Sequence, residues 1–186
     1  MPARPDPLRA AFLVCDIVGA TALADRIGDE PWLDLLIGHR ALVRAEAEPR
    51  GGEEVAFRAD GSILAFTGGT DAAAQCAIAI QRAVADLDAD YAVRIGLHTG
   101  SALRHERTVI GRAVNHACRL ADAAQPGEIL VSPLAAGEAG ARTEPVTVPF
   151  GSAAGRLPAR RLAWDPQALR APRRFGRATT DRGACA

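Results

Sequence analysis

The chain has 186 residues, 48% of them apolar, and its 22 basic and 22 acidic side chains cancel. That balance excludes a strongly basic nucleic-acid binder, and no run approaches the roughly 20 apolar residues that a membrane-spanning helix needs. The first residues lack the apolar stretch of a signal peptide, so the expectation is a cytoplasmic protein with one domain and a sizeable core.

The proline-rich residues 1–9 read as an irregular lead-in. Ala10 to Cys15 is an apolar run ending in Asp16, the pattern of a buried strand with a carboxylate at its end. A helical stretch is predicted from about Thr21 to Ile27 and a longer helix from Pro31 to Glu48, where Trp32, Leu35, Leu36, Leu42 and Val43 keep helical spacing. Glu53 to Phe57 and Ser62 to Phe66 are predicted strands joined through Arg58-Ala59-Asp60-Gly61, a hairpin signal. Thr70 to Leu87 is an alanine-rich helix, and Tyr91 to Leu97 a strand. His98-Thr99-Gly100 leads into a strand extension or hairpin through Ile110, and a helix follows from Gly111 to Ala123. A strand at 128–131, a short helix at 133–139, and late strands at 146–150 and 160–164 complete the domain, assigned to residues 10–164. Residues 165–186, with five arginines and no apolar period, read as a flexible tail. The order of elements predicts an α/β (α+β) sandwich with a mainly antiparallel sheet.

Two compositional details bear on chemistry. All 22 basic residues are arginines, so no lysine is available to any site. Cys15, Cys76, Cys118 and Cys185 lack metal-ligand spacing; the first three read as small buried hydrophobes and the last as a tail residue.

Asp16 and Asp60 each fall at a strand end or turn, where two carboxylates can share a pair of divalent cations. Behind Asp16, Gly19 and Thr21 open a helix whose N-terminal N–H groups and dipole favour a phosphate chain. Taken singly, Asp16 reads equally well as a helix cap and Asp60 as a turn former. Asn115 and Arg119 stand four residues apart behind Gly111, on one face of a helix, where both can reach one ligand. An amide there can hold a sugar oxygen, and a fixed guanidinium can take the charge that builds on a phosphoryl group.

Together these segments resemble the catalytic domain of class III nucleotidyl cyclases, the adenylate and guanylate cyclase family. The pieces that carry the resemblance are Phe12 through Thr21, Ala59-Asp60-Gly61, Val93 through Gly100, Gly111 through Leu120, and Pro126 through Ser132. The resemblance implies a ferredoxin-like sandwich working as a head-to-tail homodimer, with active sites between protomers. It implies that Asp16 and Asp60, helped by the Ile17 carbonyl, hold two Mg²⁺ or Mn²⁺ ions. Gly19, Ala20 and Thr21 would lie along the phosphates of a nucleoside triphosphate. Asn115 and Arg119 would come from the partner chain, orienting the ribose and stabilising charge on the α-phosphate. The implied reaction is in-line attack of the 3′-hydroxyl, giving a 3′,5′-cyclic nucleotide and pyrophosphate. No nucleic-acid or membrane partner is expected. His98 falls in a matching strand but is expected to be structural.

The match fails where the base is read. Cyclases that use ATP commonly carry a lysine four residues before the second metal aspartate, and here that position is Ala56. The other base-selecting position is Thr108, which can still meet an amino or keto group. The glycine expected before the second aspartate is Ala59, and a late phosphate-binding lysine is replaced by the neighbourhood of Arg156. Arg58 shares a strand face with Ala56 and Asp60 if alternation holds, so it is a candidate for the base edge or a phosphate, against a plain pairing with Glu54. The expectation is therefore a weak or altered-specificity cyclase. The alternative is a catalytically silent cyclase-homology domain that binds nucleotide or dimerises for regulation. A third reading, from Gly51-Gly52-Glu53-Glu54-Val55, mimics the signature of diguanylate cyclases, but the run enters a strand and does not itself form the hairpin turn.

Overall fold

The computed structural model describes residues 6–58, 60–87, 91–106, 108–149 and 155–164, with only the backbone of Arg58. Its strands are β1 (Asp6–Ile17), β2 (Gly52–Arg58), β3 (Gly61–Phe66), β4 (Val93–His105), β5 (Thr108–Ile110), β6 (Ile129–Val131), β7 (Thr143–Pro149) and β8 (Arg156–Leu162). Its helices are α1 (Ala20–Ile27), α2 (Asp29–Ala47), α3 (Thr70–Asp86), α4 (Arg112–Ala123) and α5 (Pro133–Glu138).

The strands form one sheet in the order β2-β3-β1-β4-β6-β8-β7, with β5 folded back on β4. Every pairing is antiparallel except β4 with β6. The apolar run Ala10–Cys15 is buried without alternation because helices cover both faces of β1. Ala11, Leu13, Cys15 and Ile17 pack with side chains of α1, α2, α3 and α5. Ala10, Phe12 and Val14 pack with Ala113, Val114, Ala117 and Ala121 of α4. Fully burying a side chain such as Phe12 or Leu13 stabilises the fold by about 1.5–3 kcal/mol each.

Helix α4 lies unusually close to the sheet. A Cβ on Gly96 of β4 would fall 2.2 Å from the Ala117 carbonyl oxygen and 2.3 Å from the Ala121 nitrogen. Only hydrogen fits there, and Ala113, Ala117 and Ala121 present the matching small face.

The structure departs from the sequence reading at several boundaries. β1 begins at Asp6, so residues 6–9 of the expected lead-in are strand, recruited by pairings such as Asp6 with Arg104 and Arg9 with Ser101. β4 correspondingly runs unbroken to His105 and then turns into β5, pairing Leu103 with Ile110. The late strands pair from Thr143 opposite Leu162 to Pro149 opposite Arg156, which places both earlier in the chain than periodicity suggested. The expected tail at 165–186, including Cys185, lies outside the described residues. Cys15, Cys76 and Cys118 are buried free thiols, as expected.

Candidate active site

The antiparallel pairing of β1 with β3 sets Asp16 opposite Gly61, one residue after Asp60. The Ile17 amide donates to the Asp60 carbonyl at 3.2 Å, which ties the turn to the end of β1. A side chain at Gly61 would press on Asp16, since its Cβ would lie 3.2 Å from Oδ1. The two predicted metal carboxylates are thus brought together. Burial pushes the Asp60 carboxyl above its usual range, and the charge of Asp16 pushes it further.

Two neighbours complete this cluster that sequence reasoning missed. Arg94 is the cross-strand partner of Asp16, and its Nε donates to Oδ2 at 2.7 Å while Nη2 lies 2.5 Å from the same oxygen. Arg94 Nη1 also donates to the main-chain oxygen of Asp122 at 3.2 Å, with Nη2 3.6 Å from Asp122 Oδ1. Burial raises the Asp122 carboxyl, which Arg94 opposes and Asp16 reinforces. Alternation in Val93-Arg94-Ile95-Gly96 signalled the face Arg94 occupies, but only strand pairing reveals its partner.

These are hard oxygen donors whose negative charges disfavour one another, the imbalance that a divalent cation relieves. Asp16, Asp60 and the Ile17 carbonyl therefore fit Mg²⁺ or Mn²⁺. Among the described residues no group of three or more His, Cys, Asp or Glu side chains is gathered to hold an ion alone. Water or substrate oxygens would complete the shell, as is usual for Mg²⁺.

Asn115 and Arg119 are exposed on α4, away from the buried face that meets the sheet. Asp122 continues their stripe at the next turn, toward Asp16. On the other side of Asp16, Gly19 takes a left-handed conformation with φ 68° and leads into α1; Ala20 is buried and Thr21 exposed.

Ala56 is half-buried on β2, an edge strand, and shares a groove with Glu53, Arg104 and Glu106. A bulge between Glu54 and Ala56 sets both Val55 and Ala56 on the α4 side. Thr108 is exposed at the start of β5, which lies against β2. The Arg58 backbone continues β2, paired with Gly61; its side chain lies outside the described residues, as does Ala59. Glu54 itself is held by Arg40 at 2.9 Å, Arg44 at 2.6 Å and Ser62 at 3.1 Å. Burial opposes ionisation of Glu54, but these donors hold its carboxyl below the usual range. Glu53 pairs with Arg104 at 2.6 Å, so both acids of the Gly51-Gly52-Glu53-Glu54-Val55 run serve ion pairs.

His98 stacks on His116 with ring centroids 4.3 Å apart and makes a 2.7 Å Nδ1 hydrogen bond with the Ser132 hydroxyl. Burial, then the neighbouring imidazole, lowers the His98 pKa to about 4, which suits a neutral packing residue. Arg156 is exposed at the start of β8.

The chain has the fold of class III adenylyl and guanylyl cyclase catalytic domains. It superposes on the adenylyl cyclase CyaB from P. aeruginosa with a TM-score of 0.76 and 21% identity, covering 94% of this chain and 100% of that one. Against the guanylyl cyclase Cya2 the TM-score is 0.75 with 20% identity, over 87% of this chain and 94% of the other. An adenylate/guanylate cyclase/hydrolase from Silicibacter pomeroyi gives 0.72 with 22% identity, over 86% and 98%. In sequence, uncharacterised proteins of Mycobacterium tuberculosis and Mycobacterium bovis are 37% identical over 76 residues, 41% of this chain. That match spans 25% of the relatives' length. No family model matches the chain.

Proposed function

We propose that this domain is a nucleotidyl cyclase, converting a nucleoside triphosphate to its 3′,5′-cyclic nucleotide with release of pyrophosphate. The observation that carries the reading is the convergence of Asp16 and Asp60 at adjoining strand ends on a cyclase fold, where the charge of Asp16 adds to burial in raising the Asp60 carboxyl. Asp16, Asp60 and the Ile17 carbonyl would hold two Mg²⁺ or Mn²⁺ ions, which when bound activate the 3′-hydroxyl and offset phosphate charge. The turn Gly19-Ala20-Thr21 offers N–H groups at the start of α1 to the phosphate chain. Asn115 of a second protomer would orient the ribose, and its Arg119 would stabilise charge on the α-phosphate as the 3′-oxygen bond forms and the bond to the β-phosphate breaks.

Both residues sit on the outer face of α4, where a second copy can receive them. Such a homodimer has two sites, each built from both chains. Among the described residues no helix is long and apolar enough to cross a membrane.

Ala56 weakens base selection. A methyl group donates no hydrogen bond, so base choice falls to Thr108 and the side chains along the β2 edge, with the Arg58 side chain a candidate. Transition-state stabilisation from the carboxylates and arginine does not depend on that contact. The same substitution favours a second reading, a silent domain that binds nucleotide or dimerises for regulation.

The deciding experiment offers ATP, GTP, CTP and UTP separately with Mn²⁺ and measures cyclic product and pyrophosphate. Product that disappears in Asp60→Asn supports the enzyme; saturable nucleotide binding without product from any of the four supports the silent domain.

A further inference from the structure

Arg94 reaches the carboxylate cluster from β4, and its position has a consequence for cation binding. Both its Nε and its Nη2 fall on one oxygen of Asp16, Oδ2, at 2.7 and 2.5 Å. The other oxygen, Oδ1, is turned toward Gly61 and the hairpin that carries Asp60. A second acceptor already lies beside the guanidinium: Asp122, through its main-chain oxygen at 3.2 Å and its carboxylate at 3.6 Å. Both carboxylates are partly shielded, with side-chain exposures of 16% for Asp16 and 45% for Asp122, against 25% for Arg94. A guanidinium on Oδ2 and a divalent ion on Oδ1 of the same carboxylate are like charges a few ångströms apart, so they repel and compete for its single negative charge.

We propose that Arg94 is an internal counter-ion that competes with a divalent cation for the charge of Asp16, and that Asp122 is the acceptor toward which the guanidinium withdraws when the ion binds. The inference rests on the metal-binding role of Asp16 and Asp60 and names a residue that sets how tightly that site takes its ion. Arg94 keeps the carboxylates from repelling one another until the ion arrives. It then moves along α4's end by the length of one hydrogen bond, keeping its charge in the site. The cost of that displacement lowers cation affinity, so occupancy follows the divalent ion concentration instead of saturating at trace levels.

The test is Mn²⁺ binding to the purified chain without nucleotide, followed by the electron paramagnetic resonance of free Mn²⁺. Arg94→Gln removes the competing charge and should tighten Mn²⁺ binding by at least about tenfold, whereas Arg94→Lys keeps the charge and should stay near wild type. Asp60→Asn should weaken binding in every background. If Mn²⁺ binds the wild type and is lost in Asp60→Asn, but Arg94→Gln binds no more tightly, the counter-ion role is wrong while the metal site stands. If Mn²⁺ fails to bind wild type and Arg94→Gln alike, the metal site itself is refuted and the inference with it. Should Arg94→Gln fail to fold, the Arg94 Nε–H resonance of the wild type is followed during a Mg²⁺ titration. A shift saturating with the binding isotherm supports displacement; an unmoved resonance overturns it.

Discussion

Asp60 illustrates how a functional side chain can work against the fold that carries it. Its carboxyl is raised by burial and by Asp16, so the ionised form is disfavoured in the folded chain. A raised carboxylate pKa means that folded-state stability falls as pH rises through the range where Asp60 ionises. Asp60→Asn should therefore raise the melting temperature measured without metal at neutral pH, while cyclase activity drops by about 10² or more. A melting temperature that falls would contradict the crowding of the two acids. Two histidines give the opposite sign. His39 is lowered to about 4 by burial, and His98 to about 4 by burial and then His116, from 6.5. Both are neutral when folded, so their contribution is complete above pH 6.5 and is lost as pH falls toward 4. Across that window each can cost up to about 1.4 kcal/mol per pH unit, less for the half-exposed His98. Urea midpoints at pH 7 and pH 5 should show the loss, and His39→Gln should flatten it.

At the scale of elements, the seat of α4 on β4 is the most demanding contact. Gly96→Ala would drive a methyl group into main-chain atoms 2.2 and 2.3 Å away, so the helix must shift. Overpacking of this kind costs about 1–3 kcal/mol, and thermal unfolding should record it. Activity should fall more than stability does, because Asn115 and Arg119 ride on the displaced helix. Much of this layer was legible in the sequence. The apolar run before Asp16, the Asp60-Gly61 hairpin and the Asn115/Arg119 helix all lie where their local patterns placed them. What escaped was set by contacts distant in the chain. Residues 6–9 carry no strand signal of their own and become strand because β4 extends to receive them. Arg94 and Asp122 join the carboxylate cluster through the pairing of β1 with β4 and the lie of α4 across it, neither of which leaves a local trace. The acidic pair Glu53 and Glu54 looked like chemistry and is instead bound to arginines of α2 and β4, which motif spacing cannot show.

For the whole molecule, the proposed reading makes activity a property of the pair. Specific activity should fall on dilution below the dimer dissociation constant. Asp16→Ala and Arg119→Ala should each be inactive alone. Mixed in equal amounts, they should recover about a quarter of wild-type activity, since half the dimers then contain one intact site of two. Recovery of none, with mixed dimers demonstrated, would refute a shared site. The exposed apolar pair Leu103 and Ile110 on the β4–β5 arm is 43% and 57% accessible, and charge introduced there offers a second way to weaken association.

Helix α4 ends beside its own protomer's acids through Asp122, while its outward stripe offers Asn115 and Arg119 to a neighbour. Rigidly seated on Gly96, it has no slack with which to serve these two duties independently. Filling one cleft would nudge the strut that furnishes the opposite cleft. Turnover in such a pair would then alternate between sides, and the response to substrate would be graded and non-hyperbolic.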